Sequence, residues 1–275
     1  MQTVLSCLKT YAYVLAVFLG AYFILSGVAW WLLYHRQNEN WKSRKIQQRI
    51  APQKAVIREI KHSVISIAIL ALMIQCTLYF IHQNKTAVYT HINDYGWFYL
   101  ILSIILCLFL NDAYFYWMHR FMHMKKIFPI VHRIHHLSKT PTPWAIFSFS
   151  PYEMVLNYAS YPVLIFFIPL HPAAITFLVI YSFITNLAGH FGFEFSAPGQ
   201  NSHWLLKYML TITHHDMHHN KVNCNYSLYF NIWDRIMKTN HPDYDKTFIK
   251  VQENIKNNAH EHRIEPRPLR QAEIR

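Results

Sequence analysis

The chain has 275 residues, of which only 15% are charged against about 25% in a typical soluble domain, while 53% are hydrophobic and 16% aromatic. The apolar residues lie in long runs, which excludes an ordinary soluble enzyme and points to an integral membrane protein. Six glycines with no GxGxxG or P-loop pattern leave no nucleotide-phosphate cradle, so any dinucleotide chemistry is borrowed from another protein. Cys7, Cys76, Cys107 and Cys224 are far apart and form no CxxC, which supports neither a disulfide framework nor a zinc ribbon. The net charge of +12 comes from basic residues that flank apolar segments, so the expected partner is an anionic lipid surface and not nucleic acid.

In chain order, residues 11–34 form an uncharged run of 24 with Trp30 and Trp31 near its end, long enough to span a bilayer. Only Lys9 precedes it and it exceeds a signal-peptide h-region, so it is expected to be a retained helix. Residues 63–83 form a second span and 96–118 a third, whose one charge is Asp112. Eight basic residues lie in 35–62 but only Lys85 in 84–95, so the positive-inside rule puts the first loop in the cytosol and the second across the membrane. The third span then returns to the cytosolic side at His119, and 24 of the 26 Lys and Arg residues fall on that side. Two shorter apolar stretches, 154–170 and 173–189, are separated by His171 and Pro172 and predict a helical hairpin with both ends cytosolic. Beyond Asp243 charges, Asn and Pro mix without apolar periodicity, which predicts an exposed, poorly ordered tail.

The chain carries 19 histidines, many of them in boxes. His119 and His123 form HxxxH, His132, His135 and His136 form HxxHH, and His215, His218 and His219 repeat HxxHH within His214-His215-Asp216-Met217-His218-His219. Residues four apart share a helix face, so each box can aim imidazoles at one point, the wider ones at two. One HxxxH on a surface helix is most often solvated. Three boxes on one membrane face would repel themselves when protonated, an objection that metal binding removes because neutral imidazole is the commonest metal ligand. Imidazole suits zinc, copper, iron and nickel alike, but HExxH is missing and eight boxed imidazoles exceed one tetrahedral ion, which invites two. A bis-imidazole haem would use single ligands deep in facing helices instead of dense boxes.

The run from Asp112 through Tyr-Phe-Tyr-Trp-Met to His119 and His123, followed by His132-Arg-Ile-His135-His136, resembles the fatty acid hydroxylase and sterol desaturase superfamily. Thr213 to His219, then Asn225-Tyr226-Ser227 and Trp233-Asp234-Arg235, is similar to that family's C-terminal signature, and Asn186 to Glu194 resembles the segment supplying an additional ligand, here His190. The resemblance covers residues 112–239. Pro141-Thr-Pro-Trp144 and Pro151-Tyr-Glu153 look most like the lathosterol oxidase (sterol C5-desaturase) branch, with Ser150 where that branch usually has His and Lys238 where it usually has Gly.

The resemblance implies two non-haem iron ions held by His119, His123, His132, His135, His136, His190, His215, His218 and His219, with His214 as a tenth candidate. It also implies O2 as co-substrate, a sterol or fatty-acyl lipid as substrate, hydroxylation or desaturation of a C–H bond, and electrons ultimately from NAD(P)H through a cytochrome b5, ferredoxin or reductase. Asp112, two turns before His119 on the same helical face, is expected to hydrogen-bond a ligand imidazole, and Glu194 and Asp216 are candidates for the same role. The expected fold is all-α, polytopic in the membrane, with three long transmembrane helices, a short helical hairpin and a cytosolic-facing histidine-rich cap. Residues 1–110 hold the first helices and the basic loop, 111–242 the di-iron catalytic region and 243–275 the charged tail, in one structural domain. The expected location is a bacterial inner membrane or the endoplasmic reticulum, boxes and C-terminus cytosolic. The rival reading is an integral membrane metal-binding or transport protein without oxidative turnover.

Overall fold

The computed structural model describes residues 2–36 and 39–264. Helix α1 (Gln2–Trp30) runs on into a π-helical turn, Trp31–His35, and the short α2 (Glu39–Arg44) leads to α3 (Gln53–His82) and α4 (Gly96–Met122). Next come α5 (Phe128–Val131), α6 (Arg133–His136), α7 (Pro151–Tyr158), α8 (Ser160–Phe167) and α9 (Pro172–Gly189), then α10 (Ile212–Lys221), α11 (Ile232–Ile236) and α12 (Tyr244–Ile264). The expected all-helical architecture is what forms: the described residues contain no β-strand, only isolated bridges at Lys45–Phe193 and Met209–Phe230.

Four segments are long and apolar enough to cross a membrane: Val4–His35, Gln53–His82, Gly96–Met122 and Pro172–Gly189. Their outer faces leave large apolar side chains such as Ile24, Leu72, Phe98 and Ile101 uncovered, an arrangement suited to lipid and costly in water. The expected hairpin has unequal arms. Its returning arm is the single helix α9, but the other breaks between α7 and α8, because Pro162 has no N–H for the Tyr158 carbonyl and its ring crowds that turn. α7 starts where it does because the Ser150 hydroxyl accepts the Glu153 N–H at 3.1 Å and Pro151 takes the first turn.

One end of the bundle is closed by 84–95, whose Ala87 and Tyr89 N–H groups donate to the carbonyls of Ile165 and Leu170 beside the hairpin turn. α4 and α9 both start at that end, so the ends carrying His119 and His190 lie together at the other. There the irregular segment 137–150 dips between α1 and α3. Tyr22 and Ser63 donate to the Trp144 carbonyl at 2.9 and 3.0 Å, and Ser66 donates to that of Phe149. Such backbone is tolerated at membrane depth only where the protein satisfies it, which accounts for the buried hydroxyls on otherwise apolar helices.

The tail differs from expectation. Residues 244–264 form α12, whose Tyr244, Phe248 and Val251 are buried as one stripe that packs near α2 and against Met217 of α10. Dense charge on the other faces hides this stripe in the sequence. The rest of the expected tail, residues 265–275, lies outside the described residues. Lys238 has φ +55 just past α11, and the Thr239 N–H returns to the Asp234 carbonyl at 2.8 Å, a helix ending that favours glycine, the residue that the resemblance leads one to expect there.

Candidate metal centre

Nine imidazoles from three segments and the end of α9 meet in two groups: His119, His123, His132, His136 and His218, and His135, His190, His215 and His219. Within each group one nitrogen per ring lies within 4.8 Å of all the others. Helical geometry explains the sorting. His119 with His123, and His215 with His219, are four apart and share a group, whereas His218, three past His215, turns to the other. The second box is not on one continuous helix: His132 sits between α5 and α6, which lets it join His136 while His135 faces the second group.

Three rings have tautomers set by carbonyls, which only accept. His119 Nδ1 donates to Tyr226 O at 2.8 Å, His218 Nδ1 to Cys224 O at 2.7 Å and His190 Nδ1 to Asn186 O at 2.7 Å. Each turns a bare Nε2 lone pair inward, and buried His218 Nε2 and both nitrogens of His123 have no hydrogen-bond partner. Burial and neighbouring imidazoles hold His132, His135, His136, His215 and His219 well below the usual histidine range, and burial brings His190 and His218 to about 4. At neutral pH these rings are neutral, the form a metal binds.

Spacing fits as well. Nε2 of His132 is 3.0 Å from that of His119 and 3.1 Å from that of His136, and Nε2 of His215 is 3.3 Å from His190 and 3.1 Å from His219. Two nitrogens each about 2.1 Å from one ion stand roughly 3.0 Å apart at a right angle and 3.4 Å apart at a tetrahedral one. Lone pairs crowded this closely are relieved by a cation.

The acidic residues do otherwise than expected. Asp112 touches no imidazole: its Oδ1 accepts the N–H groups of Tyr229 and Phe230 at 2.8 and 3.2 Å, pinning the loop whose Tyr226 carbonyl orients His119. Glu194 accepts the Thr213 N–H at 2.8 Å and hydroxyl at 2.6 Å, fastening the start of α10. Asp216 accepts from Gln47 at 2.9 Å, and burial pushes its carboxyl up to about 7. His214 joins neither group; one position before His215 it points about 100° away around α10, and its Nε2 donates to Asn240 Oδ1 at 2.7 Å. The carboxylate that does meet an imidazole is Glu153, whose Oε1 lies 2.7 Å from His132 Nδ1 with both side chains buried. Burial raises the Glu153 carboxyl, and a cation on His132 would favour its ionised form. Its only signal in the sequence is Pro-Tyr-Glu after an N-cap serine, 21 residues from its partner.

A cavity of about 50 Å³ opens against the centre, with His119, His132, His135, His215 and Glu153 in its wall. Each group of neutral nitrogen donors, with orienting acceptors behind the rings and a small space beside them, could hold a metal ion.

Comparison with known proteins agrees with this geometry. Residues 104–239 match the family model described as fatty acid hydroxylase. A Delta(7)-sterol 5(6)-desaturase of Gibberella zeae is 33% identical over 148 residues, 54% of this chain and 44% of the relative. The lathosterol oxidase of Homo sapiens is 36% identical over 142 residues, 52% of this chain and 46% of the relative. A Delta(7)-sterol 5(6)-desaturase of Aspergillus fumigatus is 27% identical over 224 residues, 76% and 68%. The chain thus spans about half the length of the first two relatives. No solved structure matches the chain. Motifs, imidazole geometry and relatives converge on residues 104–239 as a fatty acid hydroxylase domain.

Proposed function

We propose that this protein is a membrane-embedded lipid oxidase, with residues 111–242 as its catalytic region, using O2 and electrons from a separate donor to hydroxylate or desaturate a C–H bond of a sterol or fatty-acyl lipid. The observation that carries the reading is the pair of abutting imidazole groups beside a cavity inside an apolar bundle. Two non-haem irons held there, by His119, His123, His132, His136 and His218 and by His135, His190, His215 and His219, would supply the redox capacity to activate O2 and attack an unactivated C–H bond.

The protein's own work is positioning and exclusion. The carbonyls of Tyr226, Cys224 and Asn186 and the Glu153 carboxylate fix ring orientation, so the donors need no rearrangement when loaded. Phe115 and Phe149 line the small cavity with the imidazoles and keep bulk water from the reacting carbon. The basic segment 35–62 reaches this end of the bundle, where Ile46 N–H donates to Gly192 O and Gln47 binds Asp216, which suits a cytosolic face that an acidic cytochrome b5, ferredoxin or reductase approaches. The sterol desaturases and lathosterol oxidases among the relatives favour a sterol-type substrate.

Metal analysis of the purified protein tests this. About two irons per chain, reduced by His135→Ala or His218→Ala, together with lipid-dependent O2 uptake, is the expected result. Stoichiometric zinc from iron-replete cells, with no O2 uptake on any lipid, would establish the transport or storage reading instead.

A further inference from the structure

A second cavity, of about 290 Å³, lies deeper in the bundle between α1, α3, α8 and α9, with Phe18, Leu70, Ile74, Ile165 and Phe183 in its wall. It shares Tyr158, Tyr161 and Ser182 with the small cavity at the imidazoles, so these three side chains form the partition between the two. The partition's polar groups serve one another: the Ser182 hydroxyl meets those of Tyr161 and Tyr229, and Asn111 Nδ2 donates to Tyr229 at 3.1 Å.

Four side chains in the wall of the small cavity carry a buried polar atom without a hydrogen-bond partner: Glu153 Oε2 and His135 Nδ1, which belong to the imidazole site already described, and Asn157 Oδ1 and Ser227 Oγ, which do not. An amide oxygen and a hydroxyl, both unpaired and both in the wall of the cavity beside the imidazoles, match one ligand group that donates and accepts at once.

We propose that Asn157 and Ser227 are specificity-determining residues that bind a hydroxyl group of the substrate within a few bonds of the carbon to be oxidised, while its hydrocarbon body fills the larger cavity beyond Tyr161 and Ser182. This rests on the lipid-oxidase reading and narrows it. A fatty-acyl chain oxidised in its middle presents only methylenes to the small cavity and leaves both polar atoms orphaned. A ketone or ester accepts but does not donate, so it leaves the Asn157 oxygen unserved.

Equilibrium binding of tritiated probes to the full, iron-loaded chain in nanodiscs, held anaerobically so that no turnover occurs, tests the proposal. The probes are a monohydroxy sterol, its deoxy analogue and a fatty-acyl ester. The wild-type chain is expected to bind the hydroxylated sterol at least about tenfold more tightly than either other probe. Ser227→Ala and Asn157→Leu should each bring that ratio close to one, with iron content retained. Should Asn157→Leu fail to hold iron, Ser227→Ala, which removes one oxygen, decides alone. Equal binding of the hydroxylated and deoxy sterols by wild type means that water serves the two atoms and overturns the proposal, as does a preference that survives in Ser227→Ala. Iron content and O2-dependent product are read separately, so a chain that keeps the preference but never oxidises the sterol refutes the oxidase reading and not the binding role.

Discussion

Replacing Glu153 by Gln separates charge from shape at the one carboxylate among the described residues that meets an imidazole. The side chain keeps its size and can still present an oxygen to His132 Nδ1, but the buried 2.7 Å contact loses its negative charge. A hydrogen bond to a charged group contributes about 1.5–3 kcal/mol. At about 1.4 kcal/mol per factor of ten, iron in the group containing His132 should bind roughly 10- to 100-fold more weakly. His135, His190, His215 and His219 make no hydrogen bond to Glu153, so iron there should be retained at wild-type affinity. Chelator competition on the purified protein reads this as two release phases, of which only one moves. Equal weakening of both phases, or no change in either, would refute the assignment of Glu153 to His132 alone.

Other consequences follow from the same geometry. His214→Ala should leave iron content unchanged, measured by metal analysis beside His218→Ala, because its ring is committed to Asn240. Asp112→Ala strands two backbone N–H groups at a cost of about 1–3 kcal/mol each, and should lower the thermal midpoint while folded protein keeps its iron. Phe248→Ala removes a fully buried ring and should cost about 3–5 kcal/mol, read as faster hydrogen exchange across 244–264 with the metal groups unaffected. An impermeant amine reagent should reach Lys85 and Lys45 from opposite sides of the membrane; labelling from one side would refute the proposed orientation.

The histidines were legible because their message is local. Spacings of three and four along a helix already sort His215 and His219 from His218, and the structure keeps that sorting. The long apolar spans were legible for a similar reason, since length and absence of charge are properties of a single segment. What escaped depended on pairs distant in the chain. The stripe of Tyr244, Phe248 and Val251 means little without the surfaces that cover it. Asp112 has the right spacing to reach His119, yet the loop at 229–230 offers it two N–H groups. Glu153 lies on a helix whose start is fixed by Ser150, and that same serine's donation to Val131 O, at 2.6 Å, ties the start of that helix to the residue before His132.

The contrast between Glu153 and the other three acids has a physical basis. Asp112 and Glu194 take backbone N–H groups, and Asp216 a side-chain amide. These acceptances stabilise the segments that carry the rings without placing anionic charge on the rings themselves. Three rings are oriented by neutral carbonyls instead, leaving Glu153 as the one acid among the described residues bonded to an imidazole. Carbonyls fix a tautomer as firmly as carboxylates but add little electron density to the ring, so such a site neutralises less of a bound cation's charge than a carboxylate-rich one does. Less neutralisation favours the lower oxidation state and makes the oxidised site a stronger electron acceptor, a property that suits attack on an unactivated C–H bond. On this argument a second carboxylate behind a ring would give up oxidising power in exchange for metal affinity.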